Sequence, residues 1–194
     1  MPPPLILAST SRYRRALLER LGVPFSSEAP RCDEEALKQP GRAPQALAEF
    51  LAEAKAASVS ALFPEALVIG SDQLVALDED VLGKPHTAIA AVAQLERLSG
   101  RSHRLITALV VAGPHGARRR HTDITTLGMR RLDRATLTRY VEADQPLDCA
   151  GAYKLECRGI ALFERIDSAD QSAITGLPLM ALTGMLRESG YAVP

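Results

Sequence analysis

The stretch Ala66-Leu67-Val68-Ile69-Gly70-Ser71-Asp72-Gln73-Leu74-Val75-Ala76-Leu77 decides the fold class. Ala66 to Ile69 has the apolar, β-rich character of a buried strand. Gly70 is expected to break it, and Leu74 to Leu77 forms a second apolar piece leading to the acidic turn Asp78-Glu79-Asp80. A carboxylate just past a buried strand is held by a rigid element and stays reachable from solvent, as a catalytic or metal-binding acid must be. The same spacing also suits a turn residue beside a glycine. Taken alone, the stretch leaves both readings of Asp72 open.

Upstream, Leu5-Ile6-Leu7-Ala8 reads as a short strand, followed by Ser9-Thr10-Ser11 and a helix that Ser11 caps and Gly22 stops. Arg12, Arg14 and Arg15 stand in its first turn, where they oppose the helix dipole and helix stability would not select them. Helix-start N–H groups and arginines together suit an anion, while a solvated basic face would carry the same residues. Cys32-Asp33-Glu34-Glu35 reads as an acidic loop. Pro44 to Leu62 reads as an amphipathic helix with Leu47, Phe50, Leu51, Ala54, Ser58 and Ala61 on one side. Glu53 and Lys55 point away from that stripe, which leaves Lys55 free to reach a cleft.

Downstream, Thr87 caps a helix to about Leu98, and Asp133 caps another to about Ala143. Strands are expected over Arg104 to Ala112, His121 to Met129 and Gly159 to Phe163. Arg118-Arg119-Arg120 is placed at a hairpin tip, where a short basic run is solubilising more often than nucleic-acid binding. Ser172 to Pro178 forms a turn before the last helix, Leu179 to Ser189. Strands alternating with helices argue α/β, and the central hairpin argues a mixed sheet flanked by helices.

The 194 residues suit one domain, 1–194, with two lobes. With 46% hydrophobic and 24% charged residues, a normal core is available. A net charge of +0 gives no field-level reason to expect nucleic-acid or membrane partners. The three cysteines form no CxxC pair, and the four histidines share no periodicity, so neither a zinc site nor a disulfide frame is expected. No apolar run approaches a membrane span, and Met-Pro-Pro-Pro is no signal peptide. The expected location is cytoplasmic.

Taken in order, Ala8-Ser9-Thr10-Ser11-Arg12-Tyr13-Arg14-Arg15, Asp33-Glu34, Gly70-Ser71-Asp72-Gln73, Leu82-Gly83-Lys84-Pro85, Gly151-Ala152-Tyr153 and Gly176-Leu177-Pro178 resemble the Maf family of nucleoside triphosphate pyrophosphatases. The resemblance runs from about Leu5 to about Leu186. It implies an elongated two-lobed α/β fold related to the inosine triphosphate pyrophosphatases, with a central cleft, a possible homodimer and a divalent cation, Mg or Mn. It also implies cleavage between the α- and β-phosphates, with Asp72 as the catalytic acid/base residue. In that frame Asp72 and Glu35 are the expected metal ligands. Ser9, Ser11, Arg14, Arg15, Lys55 and Lys84 are the expected phosphate clamps. Asp72 serves as base, ligand or both.

The first motif departs from the family's usual S-x-S-P-R-R, with Arg12 where proline is expected and Tyr13 where one branch carries tryptophan. Gln73 and Glu156 replace the threonine and glutamine of the pyrimidine-nucleotide branch. These choices resemble the branch acting on 7-methyl-GTP. A methylated guanine is cationic, so Tyr13 can stack on it, worth about 0.5–2 kcal/mol. Glu156 can accept its N–H groups, and Gln73 can donate to O6 or the sugar. The alternatives are a dTTP/UTP pyrophosphatase and a nucleotide-binding regulator of cell division.

Overall fold

The computed structural model describes residues 2–38 and 41–193. Met1 of the proline-rich start, Gln39, Pro40 and Pro194 lie outside them. The fold is α/β. Seven strands are described: β1 (Leu5–Ala8), β2 (Ser26–Glu28), β3 (Leu67–Leu77), β4 (Asp80–Leu82), β5 (Ser102–Ala112), β6 (Arg118–Met129) and β7 (Phe163–Asp167). Seven helices accompany them: α1 (Arg12–Glu19), α2 (Glu34–Leu37), α3 (Pro44–Ser60), α4 (Ala88–Leu98), α5 (Arg134–Asp144), α6 (Gln171–Ile174) and α7 (Leu179–Glu188). The strands pair in the order β2-β1-β3-β5-β6-β7, with β4 on β3. The sheet is mixed: β1 runs parallel to β2 and β3, whereas β4 is antiparallel to β3 and β7 to β6.

The chain divides into two compact units. The first comprises Met1–Asp72, Thr107–Asp123 and Asp170–Pro194, the second Gln73–Ile106 and Ile124–Ala169. The first unit packs Leu5 and Leu7 of β1, Leu67 and Ile69 of β3, and Leu109 and Val111 of β5 against Leu17 and Leu18 of α1 and Leu182 and Leu186 of α7. Alternate residues of each strand supply this face, as the period of two requires. The second unit packs α4 against α5 through buried Leu95, Leu98, Leu137 and Val141. It also buries an aromatic group in which the Tyr153 and Phe163 rings meet edge to face at 5.0 Å.

Four local expectations need correction. Gly70 does not break the strand, because β3 runs through it. Glu34–Leu37 is a short helix rather than loop, capped by Asp33, whose side chain accepts from Ala36 N. Arg118 to Arg120 already belong to β6, and the turn before them is Pro114–Gly116. Their charges are met by acids of the same unit: Arg118 and Arg120 pair with Glu53, and Arg119 with Glu188. Gly159–Leu162 is 3-10 turn, with extended chain starting only at Phe163.

Among the described residues, no helix is long and apolar enough to cross a membrane.

Candidate active site

Helix α3 places the first charged side chain. Its buried face is Leu47, Ala48, Leu51, Ala52, Lys55, Ala56 and Val59, at the three- and four-residue spacing of a helix stripe. This stripe is rotated from the expected one. Phe50 and Ala54 are half-buried, Ala61 is exposed, and Lys55 lies inside the face instead of pointing away from it. A buried ammonium is costly unless it is paired and hydrogen-bonded. Lys55 is paired twice, its Nζ standing 2.6 Å from Asp72 Oδ1 and 2.9 Å from Glu34 Oε2.

Gly70 makes the first pairing possible. A Cβ there would stand 2.4 Å from the Ala52 carbonyl oxygen and 2.8 Å from Ala56 Cβ, closer than such atoms approach. Only glycine lets α3 lie this near β3, and the small Ala52 and Ala56 complete the fit. Two residues along β3, on the same face as Gly70, Asp72 then meets Lys55. Asp72 and Ser71 are both buried, at 6% and 0% exposure.

Helix α2 supplies the second carboxylate. Because Asp33 caps it, Glu34 and Glu35 both fall in its first turn and leave it in different directions. Glu34 takes Lys55, whereas Glu35 is exposed and pairs with Lys38 at 2.5 Å. Cys32 is half-buried beside this group. Burial and the Glu34 charge push its thiol pKa up, and Lys55 opposes them.

Helix α1 supplies the next cation. Ser11 caps it, accepting from Arg14 N at 3.4 Å, and buried Ser9 accepts from Ser11 N at 3.1 Å. Arg14 is half-buried and donates from Nε to the Gly176 carbonyl at 2.9 Å, an oxygen that Ser71 Oγ also reaches at 3.0 Å. Burial lowers the Arg14 pKa, with the charges of Asp72 and Glu34 opposing it. Arg14 is thus close enough to both carboxylates to feel them. Arg15 turns outward and pairs with Glu19 at 3.1 Å. Tyr13 is half-buried. Arg12 donates to its hydroxyl at 2.9 Å and lies over its ring at 4.8 Å.

The first unit therefore gathers Asp72, Lys55, Glu34 and Arg14, and positions Ser9 and Ser11 at the start of α1. Gln73, Lys84 and Glu156 belong to the second unit. Gln73 is half-buried on β3, Lys84 is exposed after β4, and Glu156 is exposed in the turns after Tyr153. The Lys55–Glu34 link was not foreseen. The signal that could have found it is the lysine inside the apolar stripe of α3, which the sequence reading placed outside that stripe.

No group of three or more His, Cys, Asp or Glu able to hold a metal ion occurs among the described residues. What converges here are two carboxylates from different elements, around one ammonium. A hard divalent cation accepts such a set, since magnesium is held by one or two carboxylates plus water and substrate phosphate oxygens.

Residues 4–189 match the family model described as Maf-like protein. A 7-methyl-GTP pyrophosphatase of Xanthomonas campestris pv. campestris (strain 8004) is 49% identical over 194 residues, all of both chains. One of Bdellovibrio bacteriovorus is 49% identical, covering 95% of this chain and 96% of its own. One of Pseudomonas aeruginosa is 42% identical, covering 99% and 100%. Among solved structures, the Ham1 protein of Staphylococcus aureus is similar over 66% of this chain and 72% of its own, with a TM-score of 0.48 and 13% identity.

Proposed function

Because this chain belongs to the Maf family, we propose that it hydrolyses 7-methyl-GTP to 7-methyl-GMP and pyrophosphate. The observation that carries the chemistry is the Lys55 ammonium, set between Asp72 at 2.6 Å and Glu34 at 2.9 Å with Arg14 alongside. Full-length relatives that carry this activity in their names supply the substrate.

Hydrolysis at phosphorus asks the protein for positioning and charge neutralisation more than for covalent chemistry. Asp72 orients the attacking water and takes its proton. Lys55 holds the Asp72 carboxylate in place and, on substrate binding, can turn its charge toward the phosphate. Arg14 clamps phosphate oxygens through its remaining N–H donors, with the hydroxyls and turn amides of Ser9 and Ser11 beside it. Arg15 swings from Glu19 to join them. A bound Mg or Mn would neutralise phosphate charge and lower the pKa of water. Asp72 would hold it, with Glu34 in the role that the sequence assigned to Glu35. Tyr13 stacks on the cationic base. Gln73, Lys84 and Glu156 are assigned to substrate by their chemistry alone, Glu156 as acceptor for guanine N–H groups. We place the reaction in the cytoplasm, where nucleotides are found.

The test is Asp72→Asn in purified protein. Loss of pyrophosphate release with an unchanged thermal midpoint supports the assignment, and turnover at the wild-type rate overturns it.

A further inference from the structure

The segment 170–180 is tied by a carboxylate that the chemistry above does not use. Asp170 is buried, at 7% exposure. Its Oδ1 accepts from Ser172 N at 2.9 Å and Ser172 Oγ at 2.5 Å, and its Oδ2 accepts from Met180 N at 2.9 Å. Ser172 Oγ in turn accepts from Leu179 N at 2.7 Å. One side chain thus caps α6 and, through Met180 and Ser172, the start of α7. Between the helices the chain is forced through Gly176, whose φ of +113° is open to glycine. Thr107 Oγ1 adds a tie to the Ala173 carbonyl at 2.9 Å.

The product of this closure is the direction of one carbonyl group. Gly176 O receives both Arg14 Nε and Ser71 Oγ, so the guanidinium of α1 and the strand leading to Asp72 share an anchor. A guanidinium is planar, and fixing Nε sets the direction of its other N–H groups. A small misplacement of such a clamp is costly in a phosphoryl-transfer site.

We propose that Asp170 is a positioning residue for phosphate binding: with Ser172 it holds the 170–180 loop in the shape that aims Arg14. It acts through Gly176 and touches no substrate. The inference rests on the proposed function in taking Arg14 as a phosphate clamp.

A double-mutant cycle tests it, with Asp170→Asn and Arg14→Ala made singly and together, and Ser172→Ala as a milder second variant. Two readouts are taken, KM and kcat for 7-methyl-GTP hydrolysis and calorimetric affinity for inorganic tripolyphosphate. The expected result is that Asp170→Asn raises KM and weakens tripolyphosphate about tenfold in the wild-type background, and less than about twofold where Arg14 is already alanine. Ser172→Ala is expected to act in the same direction and more weakly. The thermal midpoint is expected to fall equally in both backgrounds. Equal losses of affinity with and without Arg14 would overturn the proposal, since Asp170 would then serve only general stability. If the wild type binds tripolyphosphate but releases no pyrophosphate from any nucleotide, the proposed function fails while the cycle still decides the role of Asp170. A wild type that binds no tripolyphosphate overturns the positioning role, while pyrophosphate release from 7-methyl-GTP still decides the proposed function.

Discussion

Lys55 Nζ stands 2.6 Å from Asp72 Oδ1, and it reaches that oxygen from within the buried face of its helix. On the proposed function the pair is a stability element and a catalytic one at once, and substitutions separate the two roles. Asp72→Asn keeps an acceptor oxygen for Lys55 but removes the proposed base. Turnover is expected to fall about 10²–10⁴-fold, with little change in thermal midpoint. Lys55→Met leaves Asp72 buried without its cation and facing Glu34, and is expected to cost about 3 kcal/mol of stability as well as turnover. Denaturant melts and pyrophosphate release, run on both variants, check the contrast.

Gly70→Ala is expected to damage fold and activity together. The added methyl would meet the Ala52 carbonyl oxygen at 2.4 Å, and backbone cannot step aside as a flexible side chain can. Overpacking of this kind costs about 1–3 kcal/mol, and moving α3 also withdraws Lys55 from Asp72. The measurement is a urea midpoint alongside kcat. An unchanged midpoint would mean that α3 is free to shift without cost.

These two positions show what the sequence made legible. The helices at Ser11, Thr87 and Asp133 announce themselves by their caps, and all three caps are seen accepting from the third residue onward. Such signals are local. Gly70 was misread as a break because its reason, the backbone of α3 overhead, lies far away in sequence. Arg118 to Arg120 were misread as a tip because their partners, Glu53 and Glu188, are equally distant. Asp72, Lys55 and Arg14 stood out by type and motif. That Lys55 links Asp72 to Glu34, while Glu35 goes to Lys38, depends on how a four-residue helix turns.

Arg12 lies over the Tyr13 ring at 4.8 Å and bonds its hydroxyl, so a guanidinium rests against the ring proposed to stack on a cationic base. Tyr13→Ala is expected to raise KM for 7-methyl-GTP by about 2- to 30-fold, equivalent to about 0.5–2 kcal/mol, and KM for GTP by less. Arg12→Ala removes the competing cation and is expected to lower KM for 7-methyl-GTP. Equal effects of Tyr13→Ala on both nucleotides would remove cation–π attraction from the account.

His103 is buried against Tyr153 and Phe163, with Nε2 at 3.1 Å from the Tyr153 hydroxyl. Burial lowers its pKa from 6.5 to about 4. Between those values the unfolded chain binds a proton that the folded chain refuses, so stability rises with pH across the window. The contribution is complete above about pH 6.5 and is lost as pH falls toward about 4, by up to about 3 kcal/mol. Denaturant melts of wild type and His103→Gln at several pH values check this. The gap between the two is expected to change across the window, and parallel curves would exclude this imidazole as the titrating group.

The most direct test of the central claim is the rate of pyrophosphate release, with magnesium or manganese, from 7-methyl-GTP, GTP, dTTP, UTP and CTP. A clear preference in kcat/KM for 7-methyl-GTP is the expected result. Preference for dTTP and UTP would contradict the substrate while leaving Asp72, Lys55 and Arg14 in their roles, and no release from any of the five would contradict the enzyme itself.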